Sequence, residues 1–118
     1  MESEGKYQEA IKIYSRVVKI PHIYVGSKIF SQFHIATCYE KAGDYNRAQE
    51  ELTKVFSIPV KPGVNIRYIK AAFDKLDRMK IGKEKYIKIL ETILLNVPAT
   101  EENAEFLGRV KSELEKLK

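Results

Sequence analysis

The chain has 118 residues, 44% of them hydrophobic and 31% charged, with a net charge of +5 and one cysteine, Cys38. That length suits one domain with a core of its own, and the apolar content excludes a disordered chain. A lone thiol excludes an internal disulfide and no apolar run is as long as a membrane span, so the expectation is a soluble intracellular protein, cytoplasmic or nuclear.

The opening Met1-Glu2-Ser3-Glu4 is acidic where a secretory signal would be basic. Charge is unevenly spread beyond it. Residues 1–60 set eight Lys/Arg against seven Asp/Glu, residues 61–88 nine against three, and residues 89–118 four against six. A basic middle segment fits an acidic partner, whether peptide, phosphate or nucleic acid. It also fits a helical face that is merely solvated.

Gly5, Gly43 and Gly82 are spaced 38 and 39 residues apart, and Pro21, Pro59 and Pro98 follow them at a constant interval of 16. A period of this size predicts stacked supersecondary units, with glycine closing one helix and proline preventing the next from continuing. Apolar residues fall at helical spacing inside each interval. In chain order, Tyr7, Ala10, Ile11, Tyr14, Val17 and Val18 form the first stripe. Residues 27–42 then place Phe30, Phe33, Ile35, Ala36, Tyr39 and Ala42 on one broad face. Tyr45, Ala48, Leu52, Val55 and Phe56 form the next stripe, and Ser57 to Gly63, with two prolines, is the clearest break. Residues 65–79 carry Ile66, Ile69, Ala72, Phe73, Leu76 and Met79 at steps of three and four. Tyr86, Ile89, Leu90, Ile93, Leu94 and Val97 follow. The tail opens at Thr100, a candidate N-cap with Glu101 and Glu102 behind it, and shows a narrow stripe of Leu107, Val110, Leu114 and Leu117. A helix polar on most of its surface suits the end of a stack. The expectation is an all-α fold of about six helices.

The run from Phe33 to Ala48 resembles the tetratricopeptide repeat (TPR). Ile35-Ala36 stand for its Leu-Gly pair, Tyr39 for its helix A tyrosine, Gly43-Asp44-Tyr45 for its turn, and Ala48 for the small residue where helices A and B cross. Gly5-Lys6-Tyr7 through Tyr14 is similar to the turn and helix B of a preceding repeat. The chain departs from the family in its longer period, against about 34 residues, in Gln32 at a large-residue position, and in Val17 and Val55 at positions usually alanine. Its third repeat keeps the periodicity without the signature. The resemblance implies a single domain over 1–118, a right-handed α-α superhelix. Its parts would be helix B of a partial first repeat (1–21), a second repeat (22–59), a divergent third (60–98) and a capping helix (99–118). A chain opening at helix B is expected to be a fragment of a longer array. It is also expected to self-associate through Ile11, Tyr14 and Val18.

The family resemblance further implies a non-catalytic scaffold that holds a protein or peptide, an acidic one on the charge evidence, in a concave groove lined by A helices. The registers put Phe30, Phe33, Thr37, Glu40 and Lys41 of the second repeat on that side, with Arg67, Lys70, Asp74, Asp77 and Arg78 of the third. The carboxylate clamp of chaperone-binding TPR proteins is not expected: Thr37 stands where its asparagine belongs, and Asn46 lies outside the pattern. A narrower likeness, carried by Gln32 to Ala36 and Tyr39-Glu40, is to TPRs of the fungal general transcription corepressor and related histone demethylases. An RNA-binding helical repeat is the remaining alternative. It is disfavoured because Tyr7, Tyr14, Tyr39, Tyr45 and Tyr86 fall on core stripes, leaving Tyr24 and Tyr68 to stack on bases.

No cofactor, metal or catalytic site is expected. His34 and Cys38 share a helix face, but His22 has no helical spacing to them, so a packed histidine and a buried thiol are the simpler reading. Asp74 and Asp77 are flanked by Lys70 and Arg78, which favours surface ion pairs over acid–base chemistry.

Overall fold

A computed structural model describes residues 4–118; the acidic opening Met1-Glu2-Ser3 lies outside them. The described residues form six α-helices and no strand: α1 Glu4–Val18, α2 Val25–Lys41, α3 Tyr45–Phe56, α4 Arg67–Arg78, α5 Lys83–Asn96 and α6 Ala104–Leu117, with a 3-10 turn at Glu101–Asn103 before α6. This is the all-α, TPR-like fold that the sequence predicts. Among the described residues, no helix is long and apolar enough to cross a membrane.

The contacts group into two compact units, one reaching Val55 and one running from Phe56 to Lys118. The division falls inside α3. Hydrogen bonding supplies the reason. Asn96 Nδ2 donates to the carbonyl of Phe56 at 3.0 Å, and Val60 N donates to the carbonyl of Asn96 at 3.0 Å. The last residue of α3 and the loop after it are thus tied to the end of α5.

In the first unit α1 packs along α2, burying Ile11 against a floor that includes Ile29, Ile35 and Ala36. The α2–α3 turn closes by local chemistry. Gly43 takes φ +87°, its N–H bonds the Glu40 carbonyl at 3.1 Å, and the Asp44 N–H bonds the Tyr39 carbonyl at 2.9 Å. This pair of bonds is the Schellman closure. Asp44 then starts α3, its Oδ1 accepting from Arg47 N at 3.1 Å. Ala48, placed at the expected crossing, is 0% exposed.

In the second unit Ile69, Ala72, Phe73 and Leu76 of α4 are buried, as are Ile89, Leu90 and Ile93 of α5. Phe106 of α6 meets the Phe73 ring edge-on at 5.5 Å. Asn65 Oδ1 accepts from Arg67 N at 2.8 Å and so caps the start of α4.

Several local expectations are corrected. Gly5, Lys6 and Tyr7 lie in α1 rather than in a turn, and Gly82 sits at φ −59° ahead of α5, so only Gly43 of the three periodic glycines closes a helix in the left-handed region. Tyr45 is 67% exposed rather than part of the core stripe on which the spacing places it. Thr100 makes no capping bond, and its buried hydroxyl has no partner among the described residues. The 3-10 turn displaces the start of α6 to Ala104, and Asn103 Nδ2 instead donates to the Pro98 carbonyl at 3.1 Å.

Candidate protein-interaction faces

Successive residues of an α-helix are turned by about 100°. On α2 this sets Phe30, Thr37 and Lys41 roughly opposite Gln32, Ile35 and Tyr39. Lys41 is exposed, Thr37 and Glu40 are half-buried, and Phe30 is 36% exposed. Phe30 belongs to an aromatic cluster: its ring centroid lies 4.3 Å from that of His34, which stacks on Tyr14 at 5.6 Å. Thr37 turns its hydroxyl back onto the Phe33 carbonyl at 3.2 Å. Phe33 is the correction here. It is 8% exposed and meets His34 edge-on, so it is part of the core rather than a contact for a ligand. Its position beside Ile29 and Ala36 on the helix explains why.

On α4, Arg67, Lys70, Asp74, Asp77 and Arg78 are all exposed, opposite the buried Ile69, Phe73 and Leu76. The carboxylates are engaged within their own unit. Asp74 Oδ1 accepts from Arg109 of α6 at 2.8 Å, and the Arg109 guanidinium lies over the Phe73 ring at 5.0 Å. That hydrogen bond holds the Arg109 pKa above its ordinary value. The partner of Asp74 is thus a residue 35 positions away, not the flanking Lys70 or Arg78. Asp77 lies beside Tyr86, whose pKa is raised to about 12, first by burial and then by the Asp77 charge. Among the described residues the buried Tyr86 hydroxyl has no hydrogen-bond partner of good geometry, Asp77 being the polar group beside it. The Arg67 guanidinium sits 5.8 Å from the centre of the Tyr68 ring. The outward face of α4 thus carries three cations, Arg67, Lys70 and Arg78, and two carboxylates, of which Asp74 is paired with Arg109.

The α2 and α4 groups belong to different units. Sequence reasoning missed Arg109 and Glu51. Arg109 gives no local signal, because its partner is remote. Glu51 gives one: it lies at the edge of the Ala48–Leu52–Val55 stripe, with Arg47 and Lys54 at helical spacing. It is 7% exposed, and Lys54 Nζ reaches its Oε2 at 2.7 Å. His34 is held in the aromatic cluster, and Cys38 is half-buried rather than buried. Among the described residues no three His, Cys, Asp or Glu side chains are grouped to hold a metal ion. Tyr24 is exposed, while Tyr68 is half-buried.

Comparison with known families matches residues 30–57 to the tetratricopeptide repeat. The match runs from Phe30 within α2 through the Gly43-Asp44 turn and α3, where the helix-closing and helix-capping bonds are found. What matches is the repeat, not a particular protein that carries it. No curated protein and no solved structure matches the chain. The segment is thus a repeat of a class of protein–protein interaction modules.

Proposed function

We propose that the protein is a non-catalytic scaffold that binds an acidic segment of a partner protein through the outward face of α4, the outward face of α2 in the other unit being a separate candidate contact. The TPR match across α2 and α3 carries this reading. The net charge of the α4 face supports the acidic preference, since Asp74 is paired with Arg109 while Arg67, Lys70 and Arg78 are exposed. Phe30 is the apolar contact that α2 has to offer. Exposed charges mainly set encounter rate and salt dependence, whereas an aromatic anchor sets lifetime.

An acidic peptide library panned on the protein should yield binders whose association slows when Arg67 and Lys70 are both changed to Glu. Their salt dependence should shrink as well. Phe30→Ala should speed dissociation. Binders indifferent to all three substitutions would reject the assignment. Steep salt dependence with single-stranded RNA, lost on Tyr24→Ala, would favour a nucleic-acid ligand instead.

A further inference from the structure

The first unit holds a cleft of about 330 Å³ where α1 and α3 flank the side of α2 turned away from Phe30 and Lys41. Its apolar lining is Ile11, Val18 and Ile35, and Tyr39 stands at one side. Lys19, Arg47 and Lys54 line it as well, all exposed. The cleft also contains an internal polar group. Gln32 Nε2 donates to the Glu51 backbone carbonyl at 2.9 Å and to its Oε1 at 3.2 Å. Arg47 Nε lies 4.0 Å from the Glu51 carboxylate, Lys54 Nζ 2.7 Å, and the Arg47 guanidinium is 5.4 Å from the centre of the Tyr39 ring.

Three cations thus share the cleft with one buried carboxylate, to which Arg47 and Lys54 are paired, and the lining is left with a net positive charge. Burying Glu51 is costly unless its charge is compensated, which accounts for Gln32, Lys54 and Arg47. It does not account for Lys19, which lies in the turn after α1, or for the open space beside the half-buried Ser15 and Val18. We infer that this cleft is a second binding site, and that it takes a peptide in which an apolar side chain neighbours a single carboxylate. The apolar group fills the space over Ile11 and Ile35, and the carboxylate meets Lys19 and Arg47 at the mouth. This site shares the acidic-partner reading above but none of its residues.

The probe is a fluorescein-labelled heptapeptide with a central Leu-Glu pair, followed by fluorescence anisotropy. Matched peptides with Leu-Lys, Ser-Glu and Leu-phosphoserine pairs serve as comparisons. The Leu-Glu peptide should bind best. Lys19→Glu should weaken it about tenfold, as expected for a charge at the rim of an interface, and Ser15→Phe, which fills the cleft from α1, should abolish binding. Should Ser15→Phe fail to fold by circular dichroism, Lys19→Glu on the exposed surface decides alone. Arg67→Glu with Lys70→Glu should leave this binding unchanged, so loss of the cleft site and loss of the α4 face are separable. Absence of Leu-Glu binding, equal or tighter binding of any other peptide, displacement by single-stranded RNA, or indifference to Lys19→Glu overturns the inference.

Discussion

The two units of this molecule solve the same problem, ending one helix and starting the next, by different means. Between α2 and α3 everything is local: Gly43 supplies a left-handed residue, and Asp44 caps the helix that follows. In the second unit the junctions are held by scattered asparagines, one of them remote and two local. Asn96 reaches back to Phe56, Asn65 caps α4 from outside it, and Asn103 bonds Pro98 while Thr100 caps nothing. A glycine and a cap at fixed spacing leave a signature; scattered partners leave only apolar periodicity. The family match accordingly covers 30–57 and stops where the asparagine-tied loop begins.

The largest expected effect probes the packing that replaces the signature. Phe73 is buried between α4 and α6 and touches both Phe106 and Arg109. Phe73→Ala should cost about 3–5 kcal/mol by urea unfolding, against about 1–3 kcal/mol for overpacking the signature site with Ala48→Leu. The reverse order would mean that the signature crossing, not the aromatic contact, dominates stability.

A smaller effect separates glycines that the spacing makes look equivalent. Gly43→Ala should lose about 1 kcal/mol, because the added methyl meets nothing and the cost is purely that of φ +87°. Gly82→Ala, at φ −59° with open space around it, should change stability by less than about 0.5 kcal/mol, because the stiffer unfolded chain offsets the poorer N-cap of α5. Equal losses would contradict the distinction between the two junctions.

The smallest effect concerns alkaline pH in the second unit. The unfolded chain releases the tyrosine proton near 10.0, whereas folded Tyr86 keeps it to about 12. The contribution of Tyr86 is thus fully present below pH 10 and fades as pH rises toward 12. Tyr86→Phe should flatten that decline. At neutral pH it should leave the melting temperature unchanged or raised, since the hydroxyl it removes is buried without a hydrogen bond. A lower melting temperature at neutral pH would show that the hydroxyl is satisfied after all.

The apolar stripes were legible because helical periodicity is a property of neighbouring residues. Ile11, Ala48, Leu52, Ile69, Phe73, Leu90 and Ile93 are all buried as the spacing implies. The prolines were legible for a related reason. Pro21, Pro59 and Pro98 each lie just past a helix end, since the proline ring restricts the backbone whatever surrounds it. Glycine only permits. Gly5 lies inside a helix and Gly82 ahead of one, although their spacing matches that of Gly43. Among the residues of the candidate faces, the exposed side of α4 followed from the stripe it opposes, but Phe33 did not. A residue at the margin of a broad apolar face is buried or free according to what packs on it.

By itself, the sequence determined the helical class, the sites of its breaks and the repeat around Gly43, because each is encoded within a few turns of chain. Tertiary structure alone decided that Asp74 answers to Arg109, that Asn96 draws the end of α3 into the second unit, and that Gln32 and Glu51 form the polar side of a cleft with α1. Those pairings join residues 19 to 40 positions apart in the chain. No local spacing rule relates such residues, and their energies depend on burial and distance that exist only once the helices have packed.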